Sequence, residues 1–166
     1  VRIMFIGRFH VVKNLHLLIK SIPEISKFYP NIILDIVGSG TENEILALKN
    51  IIEKMNLDKH INFYGWRNKI EIEHLFKSTR MLVLPSSYEN FALVVSEALG
   101  AGIPCVVSKF VGTSGIIAKH HAGEIISELT PAEISKAVIQ VLKGDERFYR
   151  AAAIKAARED LDWSKI

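Results

Sequence analysis

Short apolar runs alternate with longer amphipathic stretches along the chain. The apolar runs hold four to eight residues and are rich in β-branched side chains, as is typical of strands covered on both faces. In chain order they are VRIMFIG, NIILDIVG, INFYG, RMLVLPS, PCVVS and GEIIS. Helical spacing of apolar residues lies between and after them, at residues 14–28, 41–55, 68–78, 91–100, 131–143 and 145–160. The alternation predicts an α/β fold of three layers, with a mostly parallel sheet of about six strands.

Capping residues predict where three of the helices begin. Thr41 and Glu44 have the spacing of a capping box, and Asn14 stands where a capping side chain is expected for the first helix. Pro131 directly follows Thr130, and proline is favoured at the first position of a helix. Because parallel sheets bind ligands beyond the carboxyl ends of their strands, we expect the functional residues in the segments that follow the strands.

Composition limits the classes of protein that remain. A length of 166 residues suits one domain with one core, and 49% hydrophobic with 23% charged residues argues against a disordered chain. A net charge of +3 is too small to indicate nucleic acid as a partner, although it suits a small anionic ligand. The single cysteine, Cys105, excludes a disulfide framework and favours the reducing cytoplasm. The chain begins with Val1 rather than methionine, so we interpret it as a fragment or an excised domain.

The segment after the first strand, GRFHVVKN, places two cations on one loop just before a helix. Gly7 allows a tight turn, and a helix start together with Arg8 and Lys13 favours an anion such as a diphosphate. Two solvated loop cations would give the same pattern. This segment alone therefore leaves both interpretations open.

The segments after the second and third strands offer further contacts for a ligand. Gly38 and Gly40 let a ligand approach the backbone, but a dinucleotide fingerprint would need a third glycine where Asn43 stands. A glycine turn into a capped helix explains this segment equally well. Trp66 or Arg67 can contact a base, and Trp66 can equally cover an edge of the sheet.

The segment after the fourth strand, SSYENFALVVSEALGAG, carries two carboxylates in a nearly uncharged stretch. Glu89 and Glu97 would lie about 12 Å apart if the stretch were helical throughout, with Glu97 two turns into the helix. That exceeds the roughly 5–9.5 Å between the carboxyl groups of a glycosidase pair. The spacing fits one elongated ligand with a sugar, a diphosphate and a ribose in series, because a carboxylate accepts hydrogen bonds from two neighbouring hydroxyls. A helix cap at Glu89 and a surface ion pair at Glu97 form the alternative interpretation.

The segment after the fifth strand, SKFVGTSGII, is rich in small residues and is interpreted as a loop that lines the mouth of a pocket or simply turns the chain. The adjacent His120 and His121 are interpreted as part of a solvated loop rather than as a metal site.

Together these segments resemble the C-terminal, donor-binding domain of the group 1 glycosyltransferases, a retaining family with the GT-B fold. The resemblance covers nearly the whole chain, through GRFHVVKN, IVGSG, INFYGW, LVLPSSYENFALVVSEALGAGIPCVVS and VGTSGII. It implies that residues 1–166 form one Rossmann-like nucleotide-sugar-binding domain, half of an enzyme whose N-terminal acceptor domain is absent from this sequence. Such an enzyme transfers a hexose from a nucleotide-diphospho-sugar, a UDP- or GDP-sugar, to an acceptor saccharide or lipid-linked glycan without a metal or other cofactor. The implied location is the cytoplasm or the inner face of a membrane.

The resemblance also implies a role for each matching position. Arg8 and Lys13 would neutralise the diphosphate as it departs, and Glu89 would contact hydroxyls of the transferred sugar. Glu97 would hold the ribose hydroxyls. The other donor-binding residues that the resemblance implies are Gly7, Gly38, Gly40, Trp66, Arg67, Asn90, Phe91, Ala92, Leu93 and Val94.

The chain departs from the family pattern at a few positions. The family commonly has glycine at the positions of Asn90 and Ala92, and glutamate at that of Gly115. Two other functions stay open: a non-catalytic nucleotide-binding module, and half of a nicotinamide-dependent oxidoreductase, which Asn43 disfavours. We expect the isolated domain to bind the donor weakly and to turn over little, because two domains are needed to close a cleft and exclude water.

Overall fold

The computed structural model describes residues 1–161, which form a six-stranded sheet between two layers of helices. The strands are β1 (Arg2–Ile6), β2 (Ile33–Val37), β3 (Ile61–Gly65), β4 (Met81–Leu84), β5 (Cys105–Ser108) and β6 (Gly123–Ile126). The helices are α1 (Leu15–Phe28), α2 (Glu42–Lys54), α3 (Lys69–Phe76), α4 (Leu93–Gly100), α5 (Ser114–His120), α6 (Pro131–Lys143) and α7 (Glu146–Asp160).

All neighbouring strands are parallel, in the order β3-β2-β1-β4-β5-β6. This is the order of the doubly wound Rossmann fold. Helix α1 packs against α2 and α6 on one face, and α7 packs against α4 and α5 on the other. The strand order reverses between β1 and β4, and the helices that follow these two strands lie on opposite faces of the sheet, so a crevice is expected at the carboxyl ends of β1 and β4.

The strands are apolar because helices cover both faces of the sheet. Every residue of β4 and β5 is buried, as are the three central residues of β1. Asp35 on β2 is the buried charged residue among the described strands, with 1% of its surface exposed. Arg2 donates two hydrogen bonds to its carboxylate, at 2.8 and 2.7 Å, and the Asn62 amide donates a third at 3.0 Å. The buried carboxylate is therefore both paired and hydrogen-bonded, as burial of a charge requires.

The structure confirms the six strands and the six helices expected from the pattern, with ends that shift by a few residues. The capping box of Thr41 and Glu44 is present, and Pro131 stands in the first turn of α6, where the Thr130 hydroxyl accepts from a backbone N–H. The prediction that the Asn14 side chain caps α1 is wrong. Asn14 takes a left-handed conformation, with a φ of +51°, and its amide donates instead to the Pro85 carbonyl at 2.9 Å.

The segment that was expected to be a loop after the fifth strand contains helix α5. The glycine near its start, Gly115, disfavours a helix, but α5 buries Ile117 and packs against α7, and this tertiary contact outweighs local propensity. His120 ends α5, and its side chain is only 4% exposed. Its Nε2 lies 2.6 Å from an Asp160 carboxylate oxygen on α7, so the expectation of a solvated loop is wrong for His120. Among the helices of residues 1–161, none is both long and apolar enough to cross a membrane.

Candidate functional site

Two loops meet across the crevice at the switch point. The loop after β1 ends in a 3₁₀ turn at Val11–Lys13, and the loop after β4 carries Glu89. The Lys13 ammonium contacts a Glu89 carboxylate oxygen, and the two side chains are 20% and 21% exposed. The Ser87 backbone N–H donates to the Val12 carbonyl at 2.7 Å, so the loops are also joined through their backbones. The sequence gives no sign of this pairing, because residues 13 and 89 are distant along the chain.

Helices α1 and α4, which follow the two loops of this crevice, lack features that four other helices have in their first turns. Helices α2, α3, α6 and α7 each have a capping side chain and an acidic residue in the first turn. Among the described residues, α5 has neither a capping side-chain hydrogen bond nor an acidic residue in the first turn, and the same holds for α1 and α4. The starts of α1 and α4 therefore retain unpaired N–H groups and an unopposed positive dipole end, the features that favour a bound anion.

The two cations of the site differ in whether they have an ion-pair partner. Lys13 is held in its ion pair, whereas Arg8 is exposed and no hydrogen bond or ion pair joins it to another residue of 1–161. Arg8 precedes α1 on the same loop as Lys13. Anion binding can therefore use Arg8 directly but must share or displace Lys13.

Two glycines allow neighbouring loops to pack closely against the two loops of the crevice. A Cβ on Gly38 would lie 1.8 Å from the Gly7 carbonyl oxygen, and Gly38 has a φ of +138°. A Cβ on Gly112 would lie 1.8 Å from the Asn90 carbonyl oxygen. Gly40 is also closely approached, since its Cβ would lie 2.8 Å from that of Phe9. Gly38 thus packs the loop after β2 against the loop after β1, and Gly112 packs the loop after β5 against the loop after β4.

The residues before α4 do not continue the helix as expected. Glu89 forms a parallel bridge with Val111, and α4 begins only at Leu93, after Ala92 in an extended conformation. Glu97 is therefore one turn into α4 rather than two, and the distance estimated for a helix throughout does not apply. The proposed cap at Glu89 is also absent from this helix, whose N-cap position is Ala92.

The stretch implied to face the sugar and phosphates lies at the start of α4. Ala92 is buried, whereas Asn90, Phe91 and Leu93 are exposed and Val94 is half-buried. The backbone N–H groups of Leu93 and Val94 belong to the first turn, which lacks intrahelical acceptors. This places donors on the side of the crevice that carries Glu89.

Glu97 lines a groove of about 430 Å³ between α3 and α4. Lys69 and Glu73 are further polar residues of the groove, and Phe76 and Ile72 are apolar ones. Glu97 is exposed, and no hydrogen bond or ion pair joins its side chain to another part of residues 1–161. Glu89 thus lies at the switch point, where it contacts Lys13, and Glu97 lies one turn further along, in the groove beside α4.

The loop after β3 presents Trp66 to solvent, with 70% of its surface exposed. It does not cover a sheet edge, which was one of the two interpretations. The Arg67 guanidinium contacts neighbouring residues. It donates a hydrogen bond to the Trp66 carbonyl at 2.9 Å, and its Nε lies 3.7 Å from a Glu71 carboxylate oxygen. Within residues 1–161, no three His, Cys, Asp or Glu side chains lie together as a group able to hold a metal ion.

A doubly wound sheet with a crevice at its switch point is an architecture shared by many nucleotide-binding α/β domains. The family model described as glycosyl transferases group 1 matches residues 1–160, and the chain belongs to this family. It is similar to an uncharacterized glycosyltransferase, MJ1607, from Methanocaldococcus jannaschii, with 31% identity over 166 residues that cover 99% of this chain and 42% of the relative. The chain spans about two-fifths of the length of the curated relatives that it matches along its whole length.

Solved structures show the same fold. The C-terminal domain of a group 1 family protein (LpcC) from Francisella tularensis superposes with a TM-score of 0.85 at 20% identity, covering 98% of this chain and 86% of that one. The pneumococcal O-GlcNAc transferase GtfA, in complex with UDP and GlcNAc, gives a TM-score of 0.82 at 22% identity, covering 95% of this chain and 32% of that one. The fold is therefore the Rossmann-like α/β fold of GT-B glycosyltransferase domains.

Proposed function

We propose that the chain is the donor-binding domain of a retaining, metal-independent glycosyltransferase that takes a hexose from a nucleotide-diphospho-sugar. The observation that carries the proposal is the crevice at the switch point. There, the loop that carries Arg8 and Lys13 leads into the uncapped start of α1, and Lys13 contacts Glu89 on the loop that leads into the uncapped start of α4. Family membership and the UDP and GlcNAc bound to the pneumococcal enzyme support a sugar nucleotide as the ligand.

The crevice suits the chemistry of a departing diphosphate. When the bond between the sugar carbon and the phosphate oxygen breaks, negative charge develops on the diphosphate. Arg8, Lys13 and the first N–H groups of α1 and α4 would donate to that charge, so they would stabilise the transition state more than the bound donor. We assign these groups the task that a divalent ion performs in metal-dependent transferases. In a retaining reaction the acceptor hydroxyl attacks from the face that the diphosphate leaves.

The two ends of the donor are assigned to the two glutamates. Glu89 accepts hydrogen bonds from hydroxyls of the transferred sugar, beside the backbone of Asn90, Phe91 and Ala92. Glu97 accepts from the ribose hydroxyls at the entrance of the α3–α4 groove. Further donor contacts are assigned to the loop glycines and to the exposed loop after β3, which would meet the base; these residues are Gly7, Gly38, Gly40, Trp66 and Arg67.

A second domain is required by this proposal. The chain spans about two-fifths of its relatives, and we assign the acceptor side of the cleft to an N-terminal domain outside this sequence. The acceptor is a saccharide or a lipid-linked glycan, and the enzyme acts in the cytoplasm or at the inner face of a membrane.

A thermal-shift panel of UDP, GDP, ADP and NAD tests the proposal. At 100 times its dissociation constant, a ligand stabilises by about 2.7 kcal/mol, which raises Tm by about 5–10 °C for a chain of this size. One nucleoside diphosphate should stand out, and Arg8→Ala and Lys13→Ala should each weaken its binding more than that of the matching nucleoside. Lys59→Ala is the control, because Lys59 precedes β3 at the opposite end of the strands. A shift with NAD alone would contradict the proposal.

Catalysis is tested in the full-length protein. Glu89→Ala should abolish sugar transfer while the variant stays folded. Unchanged transfer would favour a module that only binds nucleotides.

A further inference from the structure

The ion pair between Lys13 and Glu89 joins the two groups that the proposed function assigns to different parts of the donor. Lys13 is assigned to the diphosphate and Glu89 to the sugar, yet in this structure each neutralises the other. About four-fifths of each side chain is buried, so the contact is less screened than a surface ion pair.

We propose that Glu89 competes with the diphosphate for Lys13, so that binding of the donor exchanges one ion pair for another. This inference rests on the proposed function. The loops are joined independently of the side chains, by the hydrogen bonds from Ser87 to Val12 and from Asn14 to Pro85. The exchange therefore needs only a side-chain movement, and the backbone of the crevice stays in place.

The exchange couples the diphosphate to the sugar. Once Lys13 turns to the phosphates, the Glu89 carboxylate is left partly buried without its cation, a state that costs free energy. Hydroxyls of an attached sugar satisfy it by donating hydrogen bonds. A nucleoside diphosphate without a sugar leaves it unsatisfied. After transfer, Glu89 thus recovers Lys13 and weakens the hold on the nucleoside diphosphate product.

The distinguishing consequence is that removing the charge of Glu89 tightens the binding of a diphosphate that carries no sugar. UDP, GDP, ADP and inorganic pyrophosphate are titrated into the wild-type chain by calorimetry, and the tightest of the four is then titrated into the variants. We expect Glu89→Gln to bind it about fivefold more tightly. Glu53→Gln, a carboxylate removed from exposed α2 surface, is the matched control and should leave the affinity unchanged.

A double-mutant cycle separates competition for Lys13 from simple repulsion between carboxylate and phosphate. In a Lys13→Met background, Glu89→Gln should change the affinity by less than about twofold, because no cation remains to be released. An equal gain in both backgrounds would show direct repulsion and overturn the proposal. If Glu89→Gln gives no gain in affinity when Lys13 is present, the proposal is overturned as well. If the wild-type chain binds none of the four ligands, the proposed function itself falls, and the inference falls with it.

Discussion

Replacing Gly38 with alanine tests the packing that positions the loop after β1. The new Cβ would fall 1.8 Å from the Gly7 carbonyl oxygen and 2.9 Å from the Gly7 carbonyl carbon. Both are backbone atoms, so no side chain can rotate away to make room. Gly7 itself is hydrogen-bonded to the end of β2, because its N–H donates to the Val37 carbonyl at 3.0 Å. The substitution must therefore displace the backbone of one of the two loops.

The expected loss of stability combines two costs. The φ of +138° at Gly38 is a conformation that residues with a side chain rarely adopt, and holding one there costs about 1–3 kcal/mol. Relieving the contact by moving packed backbone costs about 1–3 kcal/mol more. The total is about 2–6 kcal/mol. With a urea m-value of about 2 kcal/mol/M, the midpoint of unfolding should fall by about 1–3 M.

Urea unfolding followed by circular dichroism measures this loss, with Gly115→Ala as the matched control. A Cβ at Gly115 meets no atom within 4 Å, and Gly115 lies in helix α5. The control should therefore keep or slightly raise the midpoint, since alanine is the better helix former. If Gly38→Ala unfolds at the same urea concentration as the wild type, the close approach of the two loops is not a constraint and the reasoning is wrong.

Three further predictions concern groups away from the crevice. Arg2→Ala should cost about 3 kcal/mol or more, measured by urea unfolding, because it leaves the buried Asp35 carboxylate without its cation; a loss below 1 kcal/mol would refute this. Burial raises the pKa of the Cys105 thiol, so a thiol reagent at pH 8 should label it only in urea, and fast labelling of the native chain would be the contrary result. Hydrogen bonds from Lys119 and the neighbouring histidine lower the pKa of Asp160 below its ordinary 3.8. The stability that this lowered pKa provides is present above pH 3.8 and is lost as the pH falls through the pKa of folded Asp160. Asp160→Asn should therefore make the unfolding midpoint depend less steeply on pH at acid pH. An unchanged slope would argue against this prediction.

Local patterns were enough to predict most elements of the fold. The strands could be located because burial on both faces makes them short and continuously apolar, as β4 and β5 show. Helix α5 could not be predicted, because its sequence begins with small residues and glycine and its stability comes from packing against α7. The mistaken cap at Asn14 has a related cause, since its amide is drawn to the Pro85 carbonyl on a loop distant in sequence.

The site was only partly predictable for the same reason. The segments that follow the strands were expected to meet at one edge, and the structure brings the first and fourth of them together. That Lys13 and Glu89 contact each other depends on strand order, because only the adjacency of β1 and β4 makes their loops neighbours. The position of Glu97 depends on where α4 begins, and the bridge between Glu89 and Val111 delays that start.

The central claim is that a nucleoside diphosphate binds at the crevice between the loops that follow β1 and β4. A titration with the tightest-binding nucleoside diphosphate, followed in backbone amide NMR spectra of the chain, tests it most directly. The account predicts that the largest shift changes fall on residues 8–15 and 89–95. Shift changes centred instead on the groove of about 750 Å³ between α1 and α6, which Phe28 and Lys143 line, would contradict it.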